Sequence, residues 1–324
     1  MPTPAPLVLD EVSAAIACYD QEATSILQEF IKKVEAKKPP SLLYHYTNDV
    51  AVTGIIEGGK IWFSDIFRQN DPSELRHGLS IAIDALKSLI TDDRPEIGTF
   101  TSLFERLDLD GGIEASAHYF ISCFSGNGDD LGQWRAYAEN GLGFALGFDT
   151  SSLEEAFTKK GGKLIEHHST FPITYDDMEL TRIQSELAKI VRPLISLPRT
   201  TDIRGRAMHA YMKELLVSHS VGVLRLLMFF KHEAYKNEDE YRFLQIYEGD
   251  RPAPDVKYRK RPSVITRYRE FDWRSQAPKA LKKIVIGPAA NRAQATRFVK
   301  DCLAAFHADP DNVELVHSKI PYRV

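Results

Sequence analysis

Glu238 and Glu240 stand two residues apart at the head of the segment "EDEYRFLQIYE". On a strand this spacing puts both carboxylates on one face, where their repulsion must be offset by solvent, by Arg242 or by a ligand. Such a pair can do acid-base work, one carboxylate holding a sugar hydroxyl and the other activating a nucleophile. An exposed acidic turn is the plainer reading. His45, in "LLYHYTN", is a costly residue in an apolar and aromatic run of strand type. Thr47 lies two residues on and shares its face, so the two form a hydrogen-bonding pair at a strand end. A partly buried histidine satisfied by backbone is the more common case. "ISCFS" places Ser122 and Ser125 in another apolar strand.

Other chemistries find less support. His167 and His168 are adjacent, lack the i, i+4 spacing of a helical zinc pair and read as loop, so no metal is expected. There is no Walker loop, no GxGxxG and no GxSxG. Cys18, Cys123 and Cys302 are widely spaced and odd in number, which argues against a disulfide framework.

The elements that must position these residues read as follows. A stripe through Val12, Ile16, Tyr19, Ala23, Ile26, Leu27, Phe30 and Val34 predicts a helix over 10–36, ending before Pro39 and Pro40. Then come a strand at 41–47, a helix stopped by Gly58 and Gly59, a strand at 60–64, and a helix opening at "NDPSE". "HYFISCFS" and "GLGFALGFD" are strands, with a helical turn near Trp134 and Tyr137 between them, and "FPITYDD" is an edge strand. Two helices follow, 178–191 ended by Pro193, and about 206–229. A strand over 241–247, the run "LKKIVIGP", a helix near 292–306 and "VELVHSKI" complete the chain. The expectation is an α+β fold with a mixed or antiparallel sheet core and helical additions. Residues 1–40 form an N-terminal helix and linker, and 41–324 a single domain with a helical insertion at about 177–230.

With 324 residues, 43% hydrophobic and 27% charged, the chain can bury a full core. No basic leader precedes an apolar stretch and no 18 apolar residues run together, so a cytoplasmic protein with no membrane span is expected. The net charge of −4 is uneven: from Arg251 to Lys283 eleven basic residues face three acidic ones. Tyr258, Tyr268 and Trp273 interleave with that run, which suits a solvated loop or a surface for nucleic acid.

"LYHYT", "GIIEGGKIWFS", "NDPSE", "ISCFS", "WRAYAENGLGFALGFD", "EDEYRF" and "KKIVIGP", in that order, resemble a large prokaryotic family of unknown function over about residues 41–324. More distantly, "LLYHYT" followed by a helix and "GGKIWFS" resembles the opening of ADP-ribosyltransferases. That likeness implies an ADP-ribosyltransferase-like sheet and NAD as substrate, held by His45 and Thr47, with Ser122 and Ser125 supporting the nicotinamide side. It implies that Glu240 binds the nicotinamide ribose, that Glu238 orients or deprotonates the acceptor, and that Trp62 or Phe63 stacks on the nicotinamide. The acceptor would be a protein or nucleic acid, the setting a toxin or phage-defence effector, and an antitoxin or regulatory protein a partner. The alternatives are an inactive nucleotide-binding module and a nucleic-acid-binding or nucleic-acid-processing protein.

Overall fold

The structure is a computed structural model that describes residues 6–68, 73–106, 117–159, 166–200, 205–248, 253–261 and 264–322. The expected first stripe forms α1 (Pro6–Glu35), with Ile16, Tyr19, Ala23, Leu27, Phe30 and Val34 buried and Ile26 half-buried. Helices α3 (Ser73–Lys87), α4 (Pro95–Glu105), α7 (Asp177–Thr200) and α8 (Gly205–Leu227) join it in one of two compact units, built from residues 1–37, 71–116 and 174–233. Residues 70–72 of "NDPSE" lie outside the described residues.

Pro193 does not end the first of the two expected helices. α7 runs past both Pro193 and Pro198 to Thr200. A proline in a helix leaves the carbonyl four residues back without its donor. For Pro193 that carbonyl belongs to Lys189, an exposed residue; for Pro198 it belongs to Leu194, and the Tyr211 hydroxyl of α8 donates to it at 2.8 Å. Burial of Leu187, Val191 and Ile195 on either side of Pro193 offsets the lost bond.

A histidine is enclosed in this helical unit. His219 of α8 has Nδ1 2.8 Å from the Tyr19 hydroxyl, is ringed by Phe100 and Phe104, and has an Nε2 with no hydrogen-bond partner. Burial pushes its pKa from 6.5 down to about 3. Between those values the unfolded chain binds a proton that the folded chain refuses, so stability rises with pH across that window and is lost as pH falls through it. The slope from this group approaches about 1.4 kcal/mol per pH unit. Urea midpoints measured from pH 7.5 to 4.5 should fall more steeply for the wild type than for His219→Gln; equal slopes would place the titration elsewhere.

The second unit, residues 38–70, 117–173 and 234–324, holds the sheet. Its ten strands among the described residues are β1 (Leu42–Thr47), β2 (Lys60–Asp65), β3 (Ala117–Ser125), β4 (Phe144–Asp149), β5 (Glu166–Pro172), β6 (Glu240–Glu248), β7 (Lys257–Arg261), β8 (Val264–Asp272), β9 (Leu281–Ile286) and β10 (Glu314–His317). They are ordered β10-β9-β4-β1-β3-β2-β8-β7, with β6 along β3 and β5 along β6. The β9–β10 pair is parallel and the other pairs are antiparallel, an α+β fold with a mixed sheet as expected. Helices α2 (Asp49–Gly58), α5 (Leu131–Tyr137), α6 (Thr150–Thr158), α9 (Trp273–Gln276) and α10 (Arg292–Phe306) belong to this unit. α2 ends, as expected, at Gly59, whose φ of 64° is the left-handed conformation that glycine adopts without strain.

Alternation assigns the two sheet faces. Leu43, Phe63, Phe120, Phe124, Phe148 and Phe243 belong to one large buried cluster, while Tyr46, Ala145 and Val285 of intervening positions belong to another with Trp134. Two sequence expectations are corrected here. The basic segment is a hairpin, β7 and β8, with β8 paired to β2, not a loop. His167 and His168 lie on β5, and His168 Nδ1 pairs with the Phe157 carbonyl at 2.8 Å. No helix of the described residues is long and apolar enough to cross a membrane.

Candidate functional site

β3 is the element around which the candidate residues gather. One edge of it pairs with β6 over all nine residues. On its other edge β1 pairs only at Tyr44↔Ser125 and β2 only at Ser64↔Ile121 and Asp65↔Phe120. The two neighbours therefore diverge, and Ser122, Cys123 and Phe124 lie between them.

His45 sits in this divergence. Its Nδ1 is 3.2 Å from the Cys123 carbonyl oxygen, and its ring packs on Phe124 at 5.5 Å. A carbonyl only accepts, so Nδ1 carries the proton. Burial lowers the imidazole pKa and the bond to Cys123 opposes that shift. His45 thus supplies a donor to a carbonyl of β3 where β1 and β2 part from that strand. Thr47 is buried on the same face, as is Ser122, whose hydroxyl has no hydrogen-bond partner.

The opposite face carries Tyr44, Ser125 and Glu240, cross-strand neighbours on β1, β3 and β6. Glu240 is only 5% exposed, and its Oε1 accepts from Arg242 Nε at 2.5 Å; Arg242 is itself buried. Alternation therefore places His45, Thr47, Ser122 and Phe63 on one face and Ser125, Glu240 and Trp62 on the other. The single constellation expected from the sequence becomes two sets.

The carboxylate pair also parts. Glu238 closes a 3-10 turn (Glu233–Glu238), Glu240 begins β6, and Asp239 between them has φ 44°, so the two do not follow strand alternation. Glu238 is half-buried and tied down twice: its carbonyl accepts from the Ser125 hydroxyl at 2.7 Å, and its Oε1 accepts from the Tyr137 hydroxyl at 3.3 Å. Tyr137 is 47% exposed.

Tyr137 is held by the loop after β3. The Tyr46 hydroxyl donates to Asn127 O at 2.8 Å and accepts from Asp130 N at 3.0 Å. Asp130 caps α5, and Asp129 accepts from Trp134 Nε1, the Ser318 hydroxyl and Lys319 N. Trp134 is fully buried edge-on against Tyr46. A short helix is thereby anchored firmly enough to present one exposed tyrosine to Glu238, a partnership of residues 101 apart that local spacing does not reveal.

The two aromatics expected to stack on nicotinamide have separate fates. Phe63 is core, stacked on Phe157 at 5.1 Å. Trp62 is 44% exposed on the outer face, 4.3 Å from Tyr268 and under Arg259. The basic hairpin spends cations internally: Glu270 takes Lys60 and Lys257, Asp65 takes Arg267, and Arg269 reaches Gln245. In the helical unit, His77, Asp177 and His232 bring ligand atoms within 4.8 Å of one another, a metal-type grouping without any sequence spacing to announce it.

Residues 133–243 match the model of a family described as "Protein of unknown function (DUF2971)". The expected resemblance to a family of unknown function holds over that stretch, which spans Trp134, Tyr137, Glu238 and Glu240. Neither the curated proteins nor the solved structures yield a match.

Proposed function

We propose that the chain is an NAD-dependent ADP-ribosyltransferase-like enzyme whose reacting carboxylate is Glu238. The observation that carries this reading is the exposed Tyr137 ring with its hydroxyl 3.3 Å from the Glu238 carboxylate. A tyrosine face can stack on a nicotinamide or adenine ring while the adjoining carboxylate accepts from a ribose hydroxyl. In the reaction the bond between ribose C1′ and nicotinamide N1 breaks, its electron pair goes to the ring, and neutral nicotinamide leaves. The oxocarbenium character left on the ribose is stabilised by the carboxylate. The acceptor, a macromolecular nucleophile or water, adds to C1′ and gives its proton to Glu238.

Glu240 takes a different role here from the one the resemblance implies. Buried and paired with Arg242, it braces the start of β6 beside Ser125 and so positions the turn that carries Glu238. The nucleic-acid reading is less favoured because Lys257, Arg267 and Arg269 already have partners in the protein. A toxin or phage-defence role, with an antitoxin or regulatory partner, belongs to this proposal only if turnover is found.

The test is nicotinamide release from NAD by the purified protein. Glu238→Gln, a half-exposed isosteric change, should reduce release by about 10²-fold or more while leaving the unfolding midpoint in place. Tyr137→Ala should weaken NAD binding and Tyr137→Phe should not, since the ring does the stacking. No release and no NAD binding by calorimetry would end this assignment.

A further inference from the structure

His77 on α3, Asp177 at the start of α7 and His232 just after α8 come from three separate elements and meet at one point. His77 Nε2 lies 3.1 Å from both oxygens of Asp177, and the His77 and His232 rings cross at 4.8 Å and 74°.

Several features of the helical unit produce this meeting. Thr174 N donates to Phe229 O and Lys231 N donates to Thr174 O, a short parallel pairing that aligns the chain before Asp177 with the chain that ends in His232. Gly78 lets α3 approach the end of α8, for a Cβ there would fall 2.3 Å from Leu227 Cδ2. Asp176 accepts from Met178 N and Glu179 N, so the capping of α7 falls to Asp176 and the Asp177 carboxylate turns to His77.

We propose that His77, Asp177 and His232 form a binding site for a divalent d-block cation of the zinc type. Two imidazoles and one carboxylate are a ligand set for zinc, iron or cobalt, whereas calcium and magnesium require oxygen ligands. Ligands at about 2.0–2.2 Å from a tetrahedral ion stand roughly 3.3 Å apart, which the His77–Asp177 pair already matches. His232, exposed, closes onto the ion by turning its side chain. Three protein ligands leave a fourth position for water, and the half-exposed pair gives the ion a route in. The proposal is independent of the ADP-ribosyl reading: it concerns other residues, and its test measures no turnover.

The test titrates chelator-stripped full-length protein, free of any histidine tag, with Zn²⁺ by calorimetry and with Co²⁺ by visible absorption. The wild type should bind one equivalent and develop the ligand-field bands of a four-coordinate cobalt site. His77→Gln and His232→Gln should each weaken binding by about 100-fold or more, beyond the 10–100-fold typical of groups outside the coordination sphere. His209→Gln removes an exposed histidine of α8 outside the cluster and should change nothing. His232→Gln alters an exposed side chain, which keeps the comparison clear of folding. Equal affinity in the wild type and His232→Gln, or no bound equivalent in the wild type, would reduce the cluster to a hydrogen-bonded histidine–aspartate pair.

Discussion

Glu240→Ala should lower the free energy of unfolding by about 3–5 kcal/mol, the usual consequence of breaking a buried ion pair by removing one partner. Both side chains are almost wholly removed from solvent, at 5% and 4% exposure, and meet at 2.5 Å. Removing the carboxylate leaves the Arg242 guanidinium buried on β6 without that counter-charge. The double variant Glu240→Leu/Arg242→Met removes both charges together and should regain much of the loss, since apolar replacements of buried pairs are often close to neutral. Urea unfolding of the three proteins decides the matter. If Glu240→Ala costs less than about 1 kcal/mol, the pair is not structural, and Glu240 returns as the candidate ribose-binding residue.

Phe157→Ala should cost about 3–5 kcal/mol for a different reason, the cavity it leaves. Phe157 of α6 is fully buried and touches four rings: stacked on Phe63 and His168, edge-on to Phe243 and Phe271. These come from β2, β5, β6 and β8, so its ring joins strands far apart in sequence. Phe157→Leu, which refills part of the volume, should lose distinctly less. The measurement is again the urea midpoint, with an unchanged slope showing that the denatured state is not what moved. A loss under 1 kcal/mol would mean the surrounding rings collapse into the space.

The strands of the sheet were legible where aromatic and β-branched residues are bounded by turn chemistry, as in β1, β3 and β6. The hairpin of β7 and β8 was hidden because cations fall on both of its faces, and the carboxylates that accept two of them, Glu270 and Asp65, are recognised only once the strands pair. The end of α7 was misplaced because the donor that relieves Pro198 comes from Tyr211, on another helix. The same limit applies to the sites. His45 stood out as a polar residue in an apolar run, but its partner is the carbonyl of Cys123, 78 residues away. Tyr137 with Glu238, and His77 with Asp177, are separated by about a hundred positions, and spacing rules reach only across neighbouring turns of a helix or alternate positions of a strand.

The two units draw on the chain alternately, three stretches each. During synthesis this becomes an order of events. Every residue of the helical unit has been made once Glu233 is added, whereas β6, which covers one whole edge of β3, begins seven residues later. Until it emerges, β3 presents an open ladder and an apolar face from a nascent chain already more than two hundred residues long. The helices can close early; the sheet must wait, and its central strand is the segment that needs shielding on the ribosome.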